Sequence, residues 1–497
     1  MGLGDTIRIC LMAIGCSSTW VIGAYDVQFE NAKFARDVYS SRSSILIIGD
    51  STTNPRGDLT FVSYFEGMIL ELPESVELCG FRIAGSPGNT GVHQYTMYSG
   101  GQPNQLVGGG VYVAIPTDDV AGQQVAIPGP RNEFQIIEGG ALLETGRVAS
   151  VGITNLEGIY QNAEEWAAGS TLVLRTSFLI SDQASLLRSF SLAKLSDHDH
   201  DAGNNVREFD IDEEIDVQLG SSRVGLEYVD LAFPKVPTSR VGLLLRGDSN
   251  NDDGDESGAS LAWGDHVLFR EDKSLDDIGF YLDSISVGGY TAKDHDEHLD
   301  DELLGDYLQQ APRQVNTLMI WIGQNAEPDE WNGVLEPIWI ERIERVTDRA
   351  IAASFSNNMA EPRVILCTPP NANAVYPSLR FTAMNQALAA LAEKRGWGHF
   401  DFQSLIGQSL ISLDPSFLGP GAHPSESGSR YVSSLFYSHL DCIRTDYNGD
   451  GNKDFFDVSL FLEHYLNQRE EADLNGDRVY DFFDVSDFLT SFAQQCD

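Results

Sequence analysis

The chain has 497 residues, too many for one ordinary domain and enough for two to four. Its apolar fraction of 42% allows each unit a buried core. Against 32 basic residues stand 74 acidic ones, a net charge of −42, and a field of that sign repels nucleic acid and anionic membranes and argues against both as partners.

In chain order, Arg8 precedes an apolar stretch at 9–22, and Ile22-Gly23-Ala24 has the small residues of a cleavage site. Residues 1–24 are therefore expected to be a signal peptide, and the mature chain to be secreted or held at the cell surface. No other apolar run is long enough to span a bilayer. Of six cysteines, Cys10 and Cys16 would leave with the signal. Cys442 and Cys496 bracket the C-terminal segment and are expected to staple it, as export permits. Cys79 and Cys367 sit in apolar, strand-like runs and are expected to be buried thiols.

The run SILIIGDS at 44–51 reads as a buried parallel strand ending in a small-residue turn. A helix over 58–72 and a strand over 79–85 complete a strand–helix–strand unit. From about 101 to 270 the pattern changes to short alternating runs, such as 171–180, 224–233 and 241–247, separated by acidic or Gly/Asn loops. That pattern predicts an antiparallel β-sandwich inserted into the α/β unit. Helix–strand alternation then returns, with strands at 316–323 and 363–370 and helices at 334–354, 379–395 and 426–440. The helix at 334–354 carries Leu335, Trp339, Ile343, Val346 and Ala350 on one stripe. The expected domains are 40–100 and 271–441 for the two parts of the α/β unit, 101–270 for the β insert and 442–497 for a small helical tail.

Ser51 follows a buried strand and precedes a helix, which puts its hydroxyl at the carboxyl edge of the sheet, where open α/β folds bind ligands. A serine becomes a nucleophile only with a base, and His423 in the loop GPGAHPSESG supplies one just before the last helix of the unit. Gly85 at the end of the second strand and Asn325 in IGQNAE offer further hydrogen-bond donors at strand ends. Gly88 is the alternative to Gly85 in the loop GSPGNTG. A second Gly-Asp-Ser, 247–249, runs into NNDDGDESG, an acidic loop that would repel an alkoxide.

The order IIGDS, a strand-end glycine, G-x-N and a late His-Pro resembles the SGNH (GDSL) hydrolases over roughly 40–100 and 275–440. The resemblance implies a three-layer, flavodoxin-like parallel sheet and a serine esterase. By the same resemblance Ser51 is the nucleophile, His423 the base and Gly85 and Asn325 the oxyanion donors, with no cofactor for catalysis. The family expects Asp three residues before the His, where this chain has Pro420. Asp414, or a main-chain carbonyl, is left to orient the imidazole.

The tail repeats itself at an offset of 27 residues. Asp446, Asn448, Asp450, Asp454 and Asp457 take positions 1, 3, 5, 9 and 12 of a loop whose Asn452 offers its carbonyl at 7, a spacing that suits the oxygen ligands of calcium. Asp473, Asn475, Asp477, Asp481 and Asp484 repeat it, with Val479 at 7 and Arg478 in place of the glycine at position six. One helix per loop, and Asp at position twelve, resemble the dockerin type I module, which implies structural calcium and a cohesin-like partner. The ladders Phe455, Phe456, Phe461 and Phe482, Phe483, Phe488 are expected to divide between core and docking face.

His198, His200, His295 and His298 lie in acidic segments that read as solvated loops rather than a metal site. Two functions follow. The first is hydrolysis of an ester, an acyl group on a carbohydrate such as a polysaccharide. The alternative is a degenerate hydrolase fold serving as a carbohydrate-binding or cell-surface scaffold, favoured by Pro420.

Overall fold

The computed structural model describes residues 19–53, 63–82, 279–286, 289–299, 301–356, 360–371, 378–419 and 423–494, and the strands that lie between 94 and 271. Residues 19–26 and most of those intervening strands are described by their backbone alone.

One nine-stranded sheet organises the chain. Its strands are β1 (Ser44–Gly49), β2 (Leu78–Arg82), β3 (Leu172–Ile180), β4 (Gly225–Phe233), β5 (Ala262–Arg270), β6 (Phe280–Ser284), β7 (Thr317–Trp321), β8 (Arg363–Thr368) and β9 (Gly398–Asp401). Their order across the sheet is β4-β3-β5-β2-β6-β1-β7-β8-β9. From β2 to β9 every neighbouring pair is parallel. At the other edge β5, β3 and β4 continue the sheet antiparallel.

The inner parallel strands are apolar at successive positions because both faces are covered. Ile45 and Ile47 of β1, Met319 and Trp321 of β7, and Ile365 and Cys367 of β8 point to one core. Leu46 and Ile48, Leu318 and Ile320, and Val364 and Leu366 point to the opposite one, as the two-residue period of a strand requires. The first core is closed by helices α1 (Thr19–Tyr39), α2 (Tyr64–Leu70) and α7 (Glu426–Ile443). The second is closed by α3 (Ala292–His298), α4 (Asp301–Gln310), α5 (Pro337–Ser356) and α6 (Ser378–Arg395). Three layers result.

The local signals explain the helix ends. Ser63 caps α2 in a reciprocal capping box with Glu66. The helix expected from 334 begins at Pro337 instead, with Trp339, Ile343, Val346 and Ala350 buried as one stripe. Leu335 precedes that helix and pairs with Trp331. Gly396, at a φ of +68°, ends α6, a conformation that suits glycine.

The β segment 101–270 is divided rather than separate. Three of its strands complete the edge of the main sheet. Others join residues 94–99 in a six-stranded antiparallel sheet that includes 189–201, 206–218 and 241–247. The side chains of that second sheet lie outside the described residues, so the expected sandwich packing does too. The expected leader lies largely outside as well, and α1 runs through its cleavage point. Among the described residues no helix is long and apolar enough to cross a membrane.

The tail folds as two helices, α8 (Phe455–Leu466) and α9 (Phe482–Phe492), around Tyr447, Phe461, Leu474 and Phe488. Phe461 and Phe488 stack with ring centroids 4.1 Å apart. Cys442 is disulfide-bonded; its expected partner, Cys496, lies outside the described residues. Cys79 and Cys367 are buried free thiols.

Candidate active site

The β1 strand delivers Gly49, Asp50 and Ser51 to the carboxyl edge of the sheet. Gly49 is required there by space: a Cβ would lie 2.1 Å from Thr53 Oγ1 and 2.9 Å from the Trp321 carbonyl. The Asp50 carboxylate is buried and organises the turn. One oxygen accepts from Thr52 N–H at 3.0 Å and from Thr52 Oγ1 at 2.8 Å. The other accepts from Gln324 N–H at 3.0 Å. Burial raises its pKa, and these hydrogen bonds oppose the rise. Thr52 in turn accepts at its carbonyl from Tyr64 N–H, 2.7 Å away, which fastens the turn to α2.

Ser51 Oγ lies 2.8 Å from His423 Nε2, across 372 residues of sequence. That distance lets the hydroxyl donate to the imidazole in its neutral form, the arrangement a serine nucleophile needs. The His423 loop is held at both ends. Gly419 N–H donates to the His423 carbonyl at 2.8 Å, and Ser425 N–H donates to the Phe417 carbonyl at 2.9 Å. Ser425 then caps α7 through Gly428 N–H. The first turn of α7 presses on Phe417 so closely that a Cβ on Gly428 would meet the Phe417 carbonyl at 2.1 Å.

Asp414 does not hydrogen-bond His423. Its carboxylate caps the 3-10 turn Pro415–Phe417, accepting from Ser416 N–H at 2.8 Å. That hydrogen bond holds its pKa below the usual carboxylate range. Pro420 lies outside the described residues.

Asn325 is half-buried, and its Nδ2 donates to the Tyr290 carbonyl at 3.3 Å. Because Asp50 grips the neighbouring Gln324 N–H, Asn325 is anchored to the nucleophile turn. Arg380 stiffens the same segment by donating to the carbonyls of Gly323 and Gln324.

Gly85 and Gly88 lie outside the described residues, but the strand leading to them is placed. β2 is not a neighbour of β1, since β6 lies between them. The strand end beside Ser51 therefore belongs to β6. Ser284 Oγ donates to the Thr53 carbonyl at 3.2 Å, and Thr53 Oγ1 lies 2.8 Å from Ser286 Oγ. The loop that follows carries Gly289, exposed and at a φ of +84°, immediately before the Tyr290 carbonyl that holds Asn325. The loop beside the nucleophile turn is thus the one that follows β6, and Gly289 in it was not singled out by sequence.

Thr291 then caps α3 in a capping box with Asp294. On α3, His295 is buried and its Nε2–H donates to the Gly49 carbonyl at 2.8 Å, directly behind the nucleophile. The reading of His295 as part of a solvated loop is corrected by that contact. The His298 side chain and those of His198 and His200 lie outside the described residues, as do Asp248 and Ser249.

In the tail, the first-position carboxylates Asp446 and Asp473 and the twelfth-position carboxylates Asp457 and Asp484 are all buried. Asp457 accepts from Asn448 and Asp454 N–H, and Asp484 from Leu474 and Asp481 N–H. Position six has a φ of +80° at Gly451 and +64° at Arg478, so the second loop makes the glycine turn with an arginine. Among the described residues no group of three or more His, Cys, Asp and Glu side chains is gathered to hold a metal ion. The donors still fit a hard cation: the set is all oxygen, and Asp473 Oδ1 is buried with no hydrogen-bond partner among the described residues. Phe455, Phe456, Phe482 and Phe483 are exposed, in contrast to Phe461 and Phe488.

No family model matches the chain, and no curated protein matches it. Solved structures that resemble it include GDSL-type esterases and lipases. A lipase/acylhydrolase from Enterococcus faecalis is 16% identical over 34% of this chain and 89% of its own, with a TM-score of 0.24. A family two carbohydrate esterase from Cellvibrio japonicus is 9% identical over 67% of this chain and 98% of its own, with a TM-score of 0.24. A variant of an acetyl-xylooligosaccharide esterase from Geobacillus is 17% identical over 33% of this chain and 73% of its own, with a TM-score of 0.23. Overlaps this slight carry no functional weight; the Ser51–His423 geometry stands by itself.

Proposed function

We propose that the chain is a secreted serine esterase that removes an acyl group from a carbohydrate. The observation that carries this reading is the 2.8 Å contact between Ser51 Oγ and His423 Nε2 at the carboxyl edge of a parallel sheet. Ser51 Oγ attacks the ester carbonyl while His423 Nε2 takes its proton. The imidazolium then returns that proton to the leaving alkoxide, and an acyl-Ser51 ester remains. Water, deprotonated by the same imidazole, attacks that ester, and the imidazolium returns the proton to Ser51 Oγ as the acid leaves. Gly289 N–H and Asn325 Nδ2 serve as oxyanion donors, supported by their common anchor at Tyr290. With the Asp414 carboxylate occupied at the turn Pro415–Phe417, a main-chain carbonyl is left to orient the imidazole. The carbohydrate assignment rests on the leader-like N-terminus and the dockerin-like tail.

The tail loops bind two structural calcium ions through Asp446, Asn448, Asp450, Asn452, Asp454 and Asp457, and through Asp473, Asn475, Asp477, Val479, Asp481 and Asp484. The exposed phenylalanine pairs form the face for a cohesin-like partner. The test is turnover of short aryl acetates and of acetylated xylo-oligosaccharides by wild type and Ser51→Ala. Turnover that depends on Ser51 supports the esterase. No turnover by either protein favours the degenerate scaffold.

A further inference from the structure

The two tail loops touch α1 and the turn that ends it through the same loop position. Gly449 and Gly476, each fourth in its loop, have φ of +69° and +75°. A Cβ on Gly449 would lie 2.5 Å from Phe29 Cα, and one on Gly476 would lie 2.4 Å from the Ser40 carbonyl oxygen. Phe29 lies within α1 and Ser40 directly follows its last residue, so the repeat contacts α1 and the turn at its C-terminal end.

The first loop position is also gripped from the α/β body. Arg36 Nη1 donates to the Asp446 carbonyl at 3.3 Å. Arg42 goes further: it forms an ion pair with Asp473 Oδ2, and its Nη1 donates to the Glu470 carbonyl at 2.7 Å. Arg478 N–H donates to the same Asp473 Oδ2 at 3.1 Å. Both described bonds fall on Oδ2, and Oδ1 is left buried without a partner among the described residues.

We infer that the second calcium loop is a composite site, completed by Arg42 of the α/β body, so that calcium binding and docking of the tail on α1 are linked. The inference rests on the calcium reading above. Arg42 and Arg478 N–H fix Oδ2, which presents Oδ1 to the cation. The brace also offsets the non-glycine turn at Arg478. A guanidinium near the ion opposes binding by charge. Four carboxylates in the loop outweigh that single charge, and fixing a ligand through its outer partner is worth about 10- to 100-fold in metal affinity. Linkage then requires that calcium in loop two strengthen the docked state by the same factor.

The test is a calorimetric calcium titration of the full chain as wild type, Arg42→Gln, Arg42→Lys and Asp484→Ala. Two sites are expected in wild type, one of which is lost in Asp484→Ala. Arg42→Gln should weaken that same site roughly tenfold or more and leave the other unchanged. Arg42→Lys, which keeps the charge and one donor, should fall between. Limited proteolysis in calcium should release the tail sooner from Arg42→Gln than from wild type. Equal or tighter binding in Arg42→Gln, or weakening confined to the first loop, would overturn the composite site while leaving calcium binding intact. No calcium uptake by wild type would overturn the calcium reading and this inference with it.

Discussion

The Asp50 carboxylate accepts the main-chain N–H of Gln324 at 3.0 Å, which makes the turn bearing Ser51 and the turn bearing Asn325 one unit. Asp50 touches no substrate in this arrangement and acts by position. Asp50→Asn keeps the size but replaces one acceptor by an amide donor facing an N–H. A charge-assisted hydrogen bond of this kind contributes about 1.5–3 kcal/mol. The expected result is a fall of roughly 10- to 100-fold in kcat with little change in KM, read by steady-state kinetics. An unchanged kcat would show that the two turns hold their register without Asp50.

In the proposed mechanism Gly289, in the loop after β6, is the glycine that faces the oxyanion. Asn325→Ala should lower kcat by about 100- to 1,000-fold, as loss of one oxyanion donor does elsewhere. Gly289→Ala should also lower kcat, because a side chain is strained at a φ of +84° and displaces the N–H. Gly85→Ala should leave kcat near the wild-type value, since β6 separates β2 from β1. A loss at Gly85 equal to that at Asn325 would return the donor to the β2 loop.

Asp414 is occupied at the turn Pro415–Phe417. Asp414→Ala should therefore cost less than about tenfold in turnover, whereas His423→Ala should approach the effect of losing the nucleophile, since triad members act as a unit. Kinetics of the two variants side by side decide the matter. A loss at Asp414 comparable to that at His423 would make it the orienting acid.

Stability should fall in acid through His399. Burial lowers its pKa to about 4, and Thr368 Oγ1 lies 3.0 Å from its Nε2. The folded-state value is depressed below the unfolded one of 6.5, so the unfolded chain takes up the proton first. The stabilisation is present above pH ~6.5 and is lost as pH falls toward ~4, at most about 3 kcal/mol. Urea unfolding of wild type and His399→Gln at pH 7 and 4.5 checks it. The variant should lose less stability on acidification; an equal loss would place the acid sensitivity elsewhere.

Much of the parallel sheet was legible because β1, β7 and β8 are apolar on both faces, β1 and β7 ending in small-residue turns and β8 at a pair of prolines. β6 was not. Asp283 interrupts its apolar run, and only the fold reveals that this carboxylate is buried and accepts from the hydroxyls of Tyr281 and Tyr307. Without β6, only the glycines after β2 could be considered from sequence, and not Gly289. The capping signal Thr291-x-x-Asp294 after a glycine pair could have found α3 and, with it, His295. The Ser51–His423 pairing was legible from motif order. The division of 101–270 between two sheets was not, because alternation reports which face a residue takes and not which sheet a strand joins. Arg42 carries no local signal at all, since its role depends on where the tail docks.

The nucleophile is tested most directly by covalent labelling. Intact-mass analysis after treatment with a fluorophosphonate, followed by peptide mapping, should show one adduct per chain, on Ser51. Ser51→Ala should take up none, Ser249→Ala should label normally, and His423→Ala should label far more slowly, since the hydroxyl then lacks its base. An adduct on Ser249, or labelling of Ser51→Ala at the wild-type rate, would contradict Ser51 as the nucleophile.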